Sequence, residues 1–66
     1  MYWSDTRQIA HNLEENYSEE EIPENNLPYL IEMVLSLDDF SGSEAEADED
    51  NLKRILELWI EIRGDV

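Results

Sequence analysis

Glu49-Asp50-Asn51-Leu52-Lys53-Arg54-Ile55-Leu56-Glu57-Leu58-Trp59-Ile60-Glu61-Ile62, near the end of a 66-residue chain, carries Leu52, Ile55, Leu56, Trp59 and Ile62 at i, i+3, i+4, i+7 and i+10. That spacing follows the 3.6-residue helical period, so the segment reads as an amphipathic helix with one apolar face. Asp48 is a favourable N-cap just ahead of it. Glu49 and Asp50 sit where the positive end of the helix dipole welcomes acids, and Gly64 reads as a stop. A helix of this length is marginal alone in water. Its apolar face therefore requires partners from elsewhere in the chain.

Working upstream, Ser41 to Asp50 holds no apolar residue larger than Ala and includes Gly42, which reads as an exposed, mobile loop. Before it, Leu30, Val34 and Leu37 fall at i, i+4 and i+7, widened by Leu27 and Ile31. This predicts a second helix that starts near Leu27 or Pro28, where Pro is tolerated, and ends near Leu37. Phe40 is expected to plug the core from the loop. Ser18 to Asn26 is an acidic connector with a turn at Pro23. The first helix starts at Asp5, an N-cap with Gln8 placed for a capping box. Ile9, Leu13 and Tyr17 form its stripe, and Trp3 is positioned to fold back on it as a hydrophobic staple.

The prediction is an all-α, compact three-helix single domain over residues 1–66. It has helices over about 5–17, 28–37 and 49–62 and no significant sheet. Its core is Trp3, Ile9, Leu13, Leu30, Val34, Leu37, Phe40, Leu52, Ile55 and Trp59. The core must be thin, since a domain near 60 residues buries only about 60% of its unfolded surface.

Charge dominates the remainder. The chain has 18 Asp and Glu against 4 Lys and Arg, a formal net charge of −14. A small domain needs a net charge of only about 2–8 in magnitude for solubility. The surplus calls for a basic partner surface or a cation. Four scattered basic residues cannot supply the phosphate footprint that DNA or RNA binding needs. The absence of Cys removes disulfides, thiolate metal sites and thiol nucleophiles together. No basic leader opens the chain and no apolar run reaches membrane length, so a soluble cytoplasmic monomer is expected.

His11 is the single histidine, with Glu14 and Glu15 at i+3 and i+4. Without Cys or a second His, the chain lacks the usual nucleophile–base pair, and a non-enzymatic role is expected. Dense carboxylates suit hard cations such as Ca²⁺, Mg²⁺, Mn²⁺ or iron. Asp38, Asp39, Gly42 and Glu46 nevertheless have the wrong offsets for an EF-hand, and a solvated acidic face is favoured over a metal site. Glu14, Glu15, Glu19, Glu20, Glu21 and Glu24 form one acidic bank. Glu44, Glu46, Asp48, Glu49 and Asp50 form another. Docking on a basic partner is the most economical reading. An acidic nucleic-acid mimic that blocks a DNA- or RNA-binding partner is the alternative.

Trp3-Ser4-Asp5-Thr6-Arg7-Gln8-Ile9 followed by Leu13, then Leu37-Asp38-Asp39-Phe40, then Glu49, Leu52, Ile55 and Trp59, occur in order along nearly the whole chain. Together they resemble the IscX family of iron–sulfur cluster assembly proteins. The resemblance implies a modified winged helix and an adaptor that regulates cluster assembly. The implied partner is the pyridoxal-phosphate cysteine desulfurase, bound on a basic surface overlapping the frataxin site. It further implies weak Fe²⁺ or Fe³⁺ binding through exposed carboxylates, with no tightly bound cofactor. Carried to this sequence, the partner-binding candidates are Asp5, Arg7, Glu14, Glu15, Glu19, Glu20 and Glu21, and the iron candidates are Glu15, Glu19 and Glu21. Gln8 and His11 stand where the family tends to have acids, and Ser41-Gly42-Ser43 replaces acids of its loop.

Overall fold

A computed structural model describes residues 1–64 of the chain. The regular elements in it are α1 (Thr6–Asn16), α2 (Leu27–Leu35), a single 3₁₀ turn (Glu44–Glu46) and α3 (Glu49–Gly64). The described residues are thus all-α, as the spacing predicts. The first and last helices pack on each other most extensively, and α2 leans on both. The body has a radius of gyration of 10.5 Å.

Each helix presents its predicted stripe to one shared core. Ile9 and Leu13 of α1, Leu30 and Val34 of α2, and Leu52, Ile55 and Trp59 of α3 are buried together with Trp3 and Leu37. Phe40 is the exception among the predicted core residues: it packs against the cluster but stays half-buried. Ala10, Met33, Leu56 and Leu58 join the core as well. Leu58 lies off the main α3 stripe. It stands three residues after Ile55 and four before Ile62, at the margin of that face, and is buried with it. No polar or charged residue is buried among those described, so apolar contact alone fills the interior.

Local chemistry adjusts the predicted boundaries. Asp5 precedes α1, but its carboxylate accepts from the Tyr2 N–H at 2.8 Å and makes no bond into the helix. The capping box with Gln8 is therefore not formed. Tyr17 leaves the helical region at φ −130° while its N–H still closes on the Leu13 carbonyl. Asn26 caps α2 by accepting from the Tyr29 N–H at 3.2 Å, with Pro in the first turn as predicted. α2 stops at Leu35, short of Leu37. The Ser36 hydroxyl donates to the Met33 carbonyl at 2.6 Å, and the chain tightens into turns from Val34 to Leu37 and from Leu37 to Phe40. Those turns bring Leu37 and Phe40 to the core. Asp48 caps α3, accepting from the Asp50 N–H at 3.0 Å. Gly64 is the last described residue of α3, inside the helix.

The stretch after α2 is more structured than its composition suggests. Ser43 donates its N–H and its hydroxyl to the Glu46 carboxylate, at 3.0 Å each, around the 3₁₀ turn. Met1 pairs with the same stretch, its amino group donating to the Asp39 carbonyl at 2.7 Å and its carbonyl accepting from Ser41 N–H at 2.8 Å. The partners of Trp3 lie there too. Its indole N–H donates to the Ser43 carbonyl at 2.8 Å, and its ring meets Phe40 edge-on at 4.7 Å between centroids. Trp3 thus joins the core that it shares with Ile9 and Leu13 and also clasps the loop. Among the described residues no helix is long and apolar enough to cross a membrane.

Candidate partner-docking surface

The first acidic bank starts on α1 and continues into the connector. Glu15, Glu19, Glu20, Glu21 and Glu24 are all exposed, and none forms an ion pair among the described residues. Glu20 alone has a side-chain tie, accepting from the Tyr29 hydroxyl at 3.4 Å. The Glu20 charge beside that phenol raises the Tyr29 pKa above its ordinary 10.0. Glu21 and Glu24 flank Ile22 and Pro23 on one wall of an open groove whose other wall carries Ile60 and Arg63. The second bank is differently occupied. Glu46 bonds Ser43, Asp48 caps α3 and Glu49 pairs with Lys53 at 3.2 Å.

Glu14 is drawn out of the first bank. Its Oε1 accepts from the Trp59 indole N–H and from Arg63 Nε, each at 2.9 Å, and only 20% of the side chain remains accessible. The Trp59 bond is the largest influence on Glu14. Together with Arg63 it outweighs the cost of desolvation and lowers the Glu14 pKa below the ordinary 4.5. A carboxylate with a lowered folded pKa stabilises the fold above its unfolded value and loses that contribution as pH falls through the folded one. In thermal melts at pH 7 a Glu14→Gln variant is therefore less stable than the native chain, and the gap narrows as pH drops below about 4.5. A gap of constant size from pH 7 to 3 would show that Glu14 ionisation is irrelevant.

The other sequence-predicted site residues are placed separately. Asp5 is engaged with Tyr2. Arg7 is exposed beside His11 along a shallow depression at the start of α1, and it has no acid within ion-pair distance among the described residues. Glu15, Glu19 and Glu21 are not gathered into a ligand set. Among the described residues no three His, Asp or Glu side chains converge on a point that could hold a metal ion. Arg63 is the residue that the sequence reading omits. A cation in the last turn of a helix suits the helix dipole and so draws no notice, and nothing in the pattern pairs it with an acid 49 residues away.

No curated protein and no solved structure gives a significant match to the chain. One family model does, described as "Iron-sulphur cluster assembly", and it matches residues 1–63. That span takes in the opening motif, both acidic banks and the Glu14–Trp59–Arg63 node. The chain belongs to the iron–sulfur cluster assembly family, and its role lies in the building of those clusters.

Proposed function

We propose that this chain is a non-catalytic adaptor that docks its first acidic bank on the basic surface of a cysteine desulfurase and tunes cluster assembly there. The observation that carries the reading is the run Glu15, Glu19, Glu20 and Glu21, exposed and without an ion pair among the described residues. Unpaired carboxylates held together on a body with a radius of gyration of 10.5 Å raise a field that reaches over the Debye length, about 10 Å at 0.1 M salt. Such a field steers a basic partner and raises association rates by about 10- to 1,000-fold. The second bank is the weaker candidate, because caps and an ion pair already occupy Glu46, Asp48 and Glu49. On this reading iron associates weakly through the field of the same carboxylates, since no ligand set converges among the described residues.

Titration of the chain onto purified desulfurase at 20 mM and 300 mM salt tests the proposal. Binding is expected at low salt and falls by at least about tenfold at high salt, as exposed charges are screened. Absence of binding at low salt would remove the desulfurase as partner. Binding insensitive to salt would remove the electrostatic mechanism.

A further inference from the structure

Three of the chain's cations are engaged with acids, but they are not alike. Lys53 and Arg54 form i,i+4 and i,i+3 pairs on the exposed flank of α3, at 3.2 and 3.3 Å. Pairs of that kind contribute little. Arg63 reaches across the molecule. Its Nε and Nη2 lie 2.9 Å from Glu14 Oε1. Nη2 also donates to the Tyr17 carbonyl at 2.8 Å, and Nη1 donates to the Glu20 carbonyl. The guanidinium lies over the Trp59 ring, 5.3 Å from its centroid. One side chain thus ties the last turn of α3 to α1 and to the first turn of the connector.

The two carbonyls that Arg63 holds bracket a single turn. The Glu20 N–H closes on the Tyr17 carbonyl at 3.1 Å, so the same oxygen accepts from both the turn and the arginine. Beyond this turn the connector's backbone bonds are local, Glu24 to Ile22 and Asn26 to Pro23. A planar fork with five donors can satisfy a carboxylate and two carbonyls at once, and a lysine ammonium cannot match that geometry.

We infer that Arg63 is a positioning residue for partner docking: by fixing the Tyr17 and Glu20 carbonyls it sets the direction in which Glu19, Glu20 and Glu21 are presented. This rests on the docking role proposed above. It also makes a prediction whose sign is opposite to simple electrostatics. Replacing Arg63 by Gln makes an already acidic chain one unit more negative and frees Glu14, so attraction to a basic surface would increase. Loss of positioning acts the other way, because a released connector must be ordered on binding.

The test measures native, Arg63→Gln and Arg63→Lys chains against the desulfurase at low salt, with amide hydrogen exchange of residues 18–21 in the unbound proteins. Both variants are expected to exchange faster in that segment and to bind about tenfold more weakly than the native chain. Should Arg63→Gln fail to fold, Arg63→Lys, which keeps the charge, decides alone. Native binding with either folded variant bound equally well or better, or with exchange at residues 18–21 unchanged, overturns the inference and leaves the docking role intact. Failure of the native chain to bind overturns the docking role instead, and the exchange measurement still decides whether Arg63 orders the connector.

Discussion

Replacing Trp59 by Ala is expected to abolish cooperative folding of this domain near physiological temperature. Trp59 is wholly buried at the meeting of α1 and α3, and its indole N–H supplies the largest influence on Glu14. Removing a buried Trp side chain costs about 3–5 kcal/mol through lost burial and the cavity left behind. At about 0.05–0.15 kcal/mol per residue, a 66-residue chain has a total stability of only about 3–10 kcal/mol. The loss is thus comparable with the whole. Helical circular dichroism at 37 °C should fall towards that of a largely unfolded chain, with no sharp melt. Trp59→Phe provides the contrast: it keeps a ring in the core, loses the bond to Glu14, and should melt cooperatively at lower temperature. A Trp59→Ala chain that melts sharply within a few degrees of the native one would show that the core does not depend on this residue.

The second large effect is expected at Gly42. Its backbone φ is not in the left-handed region, so a side chain is permitted conformationally and would even reduce the freedom of the unfolded chain. Space decides against it. A Cβ at this position would stand 2.8 and 2.9 Å from the Phe40 ring and 2.9 Å from Trp3 Cδ1. The Phe40 ring is half-buried and able to swing outward, but Trp3 is pinned by its bond to the Ser43 carbonyl. Gly42→Ala should therefore break the edge-on Trp3–Phe40 contact and destabilise the fold by about 1–2 kcal/mol net. For a domain of this size that lowers Tm by about 4–16 °C, measurable in a thermal scan. An unchanged or raised Tm would mean that the Trp3 clasp contributes nothing.

These two residues mark what could be read from the sequence. The α3 stripe, and with it Trp59 in the core, follows from a single period of apolar residues. The same logic places Ile9, Leu13, Leu30 and Val34, because burial of a helix face leaves its signature within one or two turns. The 3₁₀ turn has a local signature in the spacing of Ser43 and Glu46, but the Trp3 clasp and the tight fit at Gly42 left none. They depend on residues about 40 positions apart meeting, and a small acidic segment looks alike whether it is free or pinned. The candidate site divides in the same way. The exposure of Glu15, Glu19, Glu20 and Glu21 was legible, since clustered acids keep their solvation. The withdrawal of Glu14 into a node with Trp59 and Arg63 was not, because an ion pair between distant helices depends on which helix faces which.

The pairing of the first helix with the last has a consequence for how the domain comes into being. The main packing partner of α1 is α3, separated from it along the chain by the connector, α2 and the loop that follows. Until α3 is available, Ile9 and Leu13 have no opposing Trp59 or Ile55, and a lone helix of 11 residues is too short to persist in water. Nor can the connector take its final course until Arg63 reaches the Tyr17 and Glu20 carbonyls. α1 and the connector therefore become ordered only once α3 docks, and until then the chain is a strongly anionic, unstructured polymer. In that state self-repulsion opposes the clumping of exposed apolar stripes, so the surplus charge protects the unfolded chain as well as serving the folded one.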